Sequence, residues 1–350
     1  MSYDEYEVIS NNLDEIFLTN NKIKIHLDPK KNFQDDFMFI SHAHTDHLLN
    51  KTNLKNESLK NKILSSHETI QIANSRGYNL PYNSNSIEGV QLVDSGHILG
   101  SRGLLIDNKI FYTGDISIRK RAFLESPKIP KVETLIIEST FGKPEYKFPS
   151  YDELKHQVNT LISNMFSKGI PVILMGYSLG KAQILMSFFG NWKPLYVHDD
   201  IYKFNKIYSS FGINLEEAIP LSNIKDKNSL NKKPWIMIYP LTNGKNSFIT
   251  YLKTHFNAVT IGFSGWAIKN NYCSYMNLDY AFPFSDHCDF DDLIQVVKKS
   301  KAENIYTIHG FQKDFAKSLN QIGYNAESIK NKKNIKNKKI KKNSTLDDFF

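Results

Sequence analysis

Apolar residues fall along the first part of the chain in short, β-branched runs separated by polar turns. The runs are Ile23–Leu27, Phe37–Ile40, Gly89–Val93, Leu104–Ile106, Ile110–Tyr112 and Leu135–Ile137. Runs this short, bounded by turn residues, predict strands. Glu68–Ser75 interrupts them with helical spacing. From Tyr151 to Phe166 the string LKHQVNTLISNMF spaces its apolar residues for one face of a helix, and Pro149 and Ser150 stand ahead of it as a start signal. Pro171–Met175 predicts a buried strand and Gly180–Phe189 the helix that follows. Trp235–Tyr239 and Val259–Phe263 predict two more strands, and helix Phe290–Ser300 leads into strand Ile305–Ile308. This alternation implies an α/β fold with both sheet faces covered. No internal repeat is visible.

Composition changes the picture mainly at the C-terminal end. A chain of 350 residues, 41% hydrophobic and 23% charged, has room for a large core and two domains. Its 44 basic and 36 acidic residues give +8, but residues 330–350 alone hold eight lysines and two aspartates, a net +6. The body is therefore close to neutral. Beyond about Ser328 the chain has little to bury and much to repel, which predicts disorder. Cys273 and Cys288 cannot build a disulfide framework, and the opening MSYDEYEVIS has no signal-peptide character. No run approaches 18 apolar residues, so no membrane partner is expected. A cytoplasmic location follows, at the nucleoid if the cell is archaeal.

The sharpest chemical signal is Ser41-His42-Ala43-His44-Thr45-Asp46-His47, directly after the apolar run FMFI. Imidazole and carboxylate suit zinc, with manganese as the alternative. So many ligand groups cannot all be buried unpaired, and they are too many for one tetrahedral ion. Two neighbouring ions would use them, with further ligands from strand ends. His97 between Gly96 and Gly100, Asp115 in FYTGD and His309 before Gly310 all occupy such places. Any one of these histidines taken alone is more often a satisfied structural residue.

Asp28 in IKIHLD, HAHTDH, His97 and Asp115 resemble, in order, the motifs of the metallo-β-lactamase fold. Glu138-Ser139-Thr140-Phe141-Gly142, Ser285-Asp286-His287 and His309-Gly310 resemble the additional motifs of the β-CASP nucleases. Gly176–Gln183 resembles the entry to that group's inserted domain, and FSGW at Phe263–Trp266 and FPFSDHCDF look most like the DNA ligase-associated exonucleases of bacteria and archaea. The resemblance implies an αββα sandwich with an inserted α/β β-CASP domain. It places the sandwich at residues 1–142 and 271–325, the insertion at 143–270 and a lysine-rich tail at 326–350. It also implies two Zn²⁺ (Mn²⁺ as the alternative): His42, His44 and His97 on one ion, Asp46, His47 and His309 on the other, and Asp115 bridging. Asp28 would orient the histidine loop from behind. His287 would be the general acid, held by Glu138, with Asp46 also in the catalytic set. Lys181, after Gly180 at a helix start, and Ser139 are candidate phosphate contacts.

Asn343-Ser344-Thr345-Leu346-Asp347-Asp348-Phe349-Phe350 resembles the peptide that docks on the sliding clamp of replication. One tight helical turn would set Leu346, Phe349 and Phe350 on one side as an apolar plug, with Asn343 in place of the usual Gln. These features point to a two-metal DNA exonuclease of repair or replication, tethered to the clamp, with 5′-to-3′ polarity implied by the resemblance. An RNA-processing endo- or exoribonuclease of the same family is the alternative reading.

Overall fold

A computed structural model describes residues 6–10, 15–33, 36–53, 62–82, 86–224, 230–231 and 234–329. Strands β1 (Glu7–Ser10), β2 (Ile16–Thr19), β3 (Lys24–Leu27), β4 (Phe37–Phe39) and β5 (Ile63–Leu64) hydrogen-bond in that order into one sheet. Pairing is antiparallel from β1 to β3 and parallel from β3 to β5. Helix α1 (His67–Ser75) follows, its start fixed by the Ser66 side chain, which accepts from the Thr69 amide. Strands β6 (Val90–Asp94), β7 (Arg102–Ile106), β8 (Ile110–Tyr112) and β9 (Thr134–Glu138) begin a second sheet.

The chain then builds a separate unit. It contains α2 (Tyr151–Phe166), β10 (Val172–Gly176), α3 (Lys181–Phe189), β11 (Leu195–Val197), α4 (Asp199–Ser210), β12 (Ile219–Pro220) and β13 (Ile236–Pro240). It continues through α5 (Ser247–Phe256), β14 (Val259–Phe263), α6 (Tyr272–Met276) and β15 (Tyr280–Phe282). Its six strands form an all-parallel sheet in the order β12-β11-β13-β10-β14-β15. Helix α7 (Phe290–Ser300), β16 (Asn304–Ile308), α8 (Gln312–Gln321) and β17 (Ala326–Ser328) complete the second sheet as β17-β16-β9-β8-β7-β6.

Side-chain alternation along the strands explains the layers. On β9, Ile136 points with Leu18, Ile25, Phe39 and Ile308 into the space between the first two sheets. Leu135 and Ile137 point the other way, onto Leu293 and Val297 of α7 and Phe315 and Leu319 of α8. Ile70 and Ala73 of α1 cover Met38 and Ile63 on the far side of the first sheet. Two sheets face to face with helices outside are the expected αββα sandwich. The inserted sheet repeats the logic: Val172 and Leu174 of β10 meet α3 and α4 on one face, while Ile173 and Met175 meet Ile249 and Leu252 of α5 on the other. β10 is buried throughout, as befits a central parallel strand.

Two expected boundaries shift. The inserted sheet runs to Phe282, past residue 270, because β15 pairs with β14. Residues 326–328, assigned from sequence to the tail, are strand β17, paired with β16, and Ile329 behind them is buried against the sandwich. The rest of the tail, with Asn343, Leu346, Phe349 and Phe350, lies outside the described residues.

Candidate metal centre

Every candidate metal ligand sits just beyond a strand end, where loops can carry polar groups without breaking a ladder. His42–His47 follows β4, Asp115 follows β8, and His309 follows β16. The histidine loop is gripped from behind by Asp28, which directly follows β3 at φ +44. One oxygen of Asp28 accepts from the Ser41 amide at 2.7 Å. The other accepts from Ser41 Oγ at 2.7 Å, Tyr112 Oη at 2.7 Å and His47 Nδ1 at 2.8 Å. Two cations pin the loop's backbone. Lys30 Nζ donates to the Thr45, Asp46 and Leu48 carbonyls, and Arg76 donates to the Ala43 carbonyl at 2.8 Å and Thr45 Oγ1 at 2.6 Å. Lys30, Arg76 and Tyr112 are absent from the sequence-based set. Lys30 and Arg76 lie outside the motifs, and Tyr112, three residues before Asp115 in FYTGD, reads there as a strand residue.

His42 Nε2, His44 Nδ1, His97 Nε2 and an oxygen of Asp115 converge within 4.8 Å of one another. The partners behind each ring decide what those nitrogens carry. His44 Nε2 meets the Leu179 carbonyl at 3.2 Å and His97 Nδ1 meets the Asp286 carbonyl at 2.9 Å. A carbonyl only accepts, so both of those nitrogens hold the hydrogen. Ser41 Oγ already donates to Asp28, so it accepts from His42 Nδ1 at 3.0 Å. Burial, more than any other influence, pushes His42, His44 and His97 below the usual histidine range, which keeps the rings neutral. Three lone pairs therefore face one another, His44 Nδ1 lying 3.0 Å from His42 Nε2 and 3.2 Å from His97 Nε2. Unfilled, that arrangement is repulsive; a cation resolves it, so the donor set fits a metal ion.

Asp115 also reaches a second group. Its carboxylate oxygen is 3.3 Å from His47 Nε2, which is 3.7 Å from Asp46. The His309 ring lies 5.5 Å from that of His47. His309 is left-handed at φ +55 and the following Gly310 at φ +46, where a Cβ would run into the Thr140 backbone. Ile308 pairs with Glu138 across β16 and β9, and Ser139 Oγ donates to the Ile308 and His309 carbonyls at 2.7 Å each. Ser139 thus fixes the His309 turn and is fully buried.

On the third side, His287 Nδ1 lies 3.0 Å from Glu138 Oε1 and 3.9 Å from Asp115. Asp115, Glu138 and His287 form a second ligand-grade group. Burial pushes the His287 ring down, but Glu138 and Asp115 outweigh it and raise it to about 9. Glu138 is itself buried and held by the Ile116 amide at 2.8 Å and Thr140 Oγ1 at 2.5 Å. Helix α7 takes its cap from Asp289, so neither Ser285 nor Asp286 is spent there. Asp115 joins the three-imidazole group to His47 on one side and to the Glu138–His287 pair on the other, an arrangement consistent with a dinuclear metal site.

Lys181 does not present its ammonium to the cleft. It is 2% exposed, lies 2.7 Å from Asp286 Oδ1 and sits beneath the Tyr177 ring at 4.8 Å. The expected phosphate contact is replaced by a buried ion pair. The cleft, about 830 Å³, runs between sandwich and insertion, with Asp46, His287 and His309 on the sandwich side and Tyr177, Ser178 and Leu179 on the other. Among the described residues no helix is long and apolar enough to cross a membrane.

Residues 280–328 match the family described as RMMBL, the Zn-dependent metallo-hydrolase RNA specificity domain. The chain is 30% identical over 307 residues to a probable DNA ligase of Opitutus terrae, a match covering 83% of this chain and 28% of that protein. It is 26% identical to an RNase J-like protein of Methanocaldococcus jannaschii, covering 62% of each chain. It is 28% identical to transcription termination factor FttA of Lokiarchaeum, covering 43% of this chain and 30% of that one. The chain thus spans less than two thirds of each of these relatives. A crystal structure of a protein of unknown function from Enterococcus faecalis V583 superposes with a TM-score of 0.58 at 15% identity, over 95% of this chain and 99% of that one. That likeness concerns the fold alone.

Proposed function

We propose that this protein, a member of the β-CASP nucleases of the metallo-β-lactamase fold, hydrolyses phosphodiester bonds of nucleic acid. The observation that carries the reading is the convergence of three neutral imidazoles and Asp115 beside the Glu138–His287 pair. His42, His44 and His97 would hold one ion, Asp46, His47 and His309 the other, and Asp115 would serve both. Bound divalent ions would supply Lewis acidity and a nucleophile at neutral pH; zinc suits the ligands and manganese is the alternative. The protein's own residues do the rest. His287, protonated below about pH 9 and oriented through Nδ1 by Glu138, turns Nε2 to the cleft and gives its proton to the leaving oxygen. Lys30, Arg76 and Asp28 keep the ligand loop from shifting as charge develops, which is positioning rather than chemistry.

RNA is the better-supported substrate. The profile over residues 280–328 carries RNA specificity in its description, and relatives named RNase J-like protein and probable RNase MJ4 each align over most of the chain. DNA is the second reading, favoured by the relative named a probable DNA ligase, which aligns over 83% of the chain. Under it belong exonuclease action from the 5′ end and tethering to a sliding clamp through Asn343, Leu346, Phe349 and Phe350. The test is a matched cleavage assay on end-labelled RNA and DNA of one sequence, single-stranded and duplex, with His287→Ala as control. Preferential loss of RNA supports the first reading. Stepwise loss of DNA with RNA spared replaces it with the second, and cleavage unaffected by His287→Ala removes the assigned acid.

A further inference from the structure

Of the large apolar or aromatic side chains left exposed among the described residues, Tyr177, at 49%, is the one that lines the metal cleft. It directly follows β10, the fully buried central strand of the inserted sheet, and precedes buried Leu179, so its backbone is anchored on both sides. Beneath its ring lies the Lys181 ammonium at 4.8 Å, itself fixed 2.7 Å from buried Asp286. Gly176 makes room for this: a Cβ there would press on the Lys181 stem. The backbone carbonyl of Asp286 receives the Nδ1 hydrogen of His97 at 2.9 Å, so the column stands directly on the metal centre.

We propose that the outer face of Tyr177 is a stacking subsite for one unpaired nucleobase of a single-stranded substrate. A cation under one face draws electron density from the ring and makes the other face a better partner for an electron-rich base. The tyrosine has two side-chain torsions and a fixed support, so little freedom is lost when a base settles on it. A base inside a duplex cannot reach the ring without unpairing, so the subsite selects single strands and frayed ends. It is indifferent to sugar type, because every base of RNA or DNA offers a π-face. This inference rests on the nucleic-acid reading above.

The test uses the full-length, metal-loaded protein in a His287→Ala background, with fluorescein-labelled single-stranded oligonucleotides followed by anisotropy. Tyr177→Ala is expected to weaken binding about 5- to 160-fold, the range of one base–aromatic stack. Tyr177→Phe and Tyr177→Trp are expected to stay within about twofold of the parent. An abasic oligonucleotide with the same backbone is expected to bind the parent and Tyr177→Ala alike, which a structural role for the ring would not produce. Equal binding of base-bearing strands by Tyr177→Ala and the parent overturns the subsite, as does an equal loss on abasic strands. If the parent binds no oligonucleotide at all, the nucleic-acid reading falls first, and the two failures are told apart by that measurement.

Discussion

Replacing Lys181 by methionine leaves Asp286 buried, 6% exposed at its side chain, without its counter-charge. Among the described residues its second oxygen has no hydrogen-bond partner that could take over. Burial alone pushes the Asp286 carboxyl up. In the intact protein Lys181 outweighs this, with help from His97 and His287, and holds it far below the usual carboxylate range. Without the ammonium, the cheapest response is to bind a proton. Neutralising an aspartate of ordinary pKa costs about 4 kcal/mol at pH 7 and about 1.5 kcal/mol at pH 5. That agrees with the roughly 3–5 kcal/mol lost on breaking other buried pairs. The sign follows from linkage. A depressed carboxylate contributes stability that is present above the unfolded value near 4 and lost only as pH falls through the folded one, so the wild type is flat in this contribution between pH 5 and 7. The variant, protonated when folded and ionised when unfolded, gains stability as pH falls. Denaturant unfolding of Lys181→Met and wild type, with chelator in both, is expected to show a gap of about 4 kcal/mol at pH 7 that closes to about 1.5 at pH 5. Lys181→Met combined with Asp286→Asn is expected to recover most of it. A gap that does not change with pH, or one below about 1 kcal/mol, would refute the argument.

Two further outcomes follow from the site. His287 is raised to about 9, so its protonated form, and kcat with it, is expected to fall as pH rises through that value. In Glu138→Gln the descending limb should move towards 6.5, with kcat at pH 7 lower by about fourfold as the protonated fraction falls; a limb that stays in place denies the Glu138–His287 coupling. Tyr112→Phe removes one of the four hydrogen bonds that Asp28 accepts. Metal affinity measured by chelator competition should drop about tenfold, the low end for a residue that orients ligands from behind, and unchanged affinity would mean that Asp28 needs no such support.

The sequence was most legible where ligands are consecutive. HAHTDH needs only a strand before it to bring its imidazoles together, and FMFI supplies one. The predicted central strands and the helices at Tyr151–Phe166 and Phe290–Ser300 appear within a residue or two of their observed ends. Elements held by neighbours rather than by their own pattern were not legible. β17 is Ala-Glu-Ser, with no apolar run, and exists because β16 offers it an edge. α8 is largely polar and declares itself only through Phe315, Ala316 and Leu319. The same distinction divides the site. The Glu138–His287 pair was reachable only through a resemblance, since its members lie far apart in the chain. Lys181 was misassigned because a helix-start lysine looks like a phosphate contact until the fold brings Asp286 against it. Nothing local marks Arg76 or Lys30, whose partners are backbone carbonyls.

The central claim is that the converging imidazoles and Asp115 hold a metal pair on which cleavage depends. Bound metal and single-turnover cleavage of an end-labelled single strand, measured on the same preparations of wild type and Asp115→Asn, test it most directly. The account predicts two ions per wild-type chain, cleavage that disappears on stripping and returns on adding zinc or manganese, and an Asp115→Asn protein that is folded, short of metal and inactive. Full cleavage by stripped protein, or by Asp115→Asn, would contradict it.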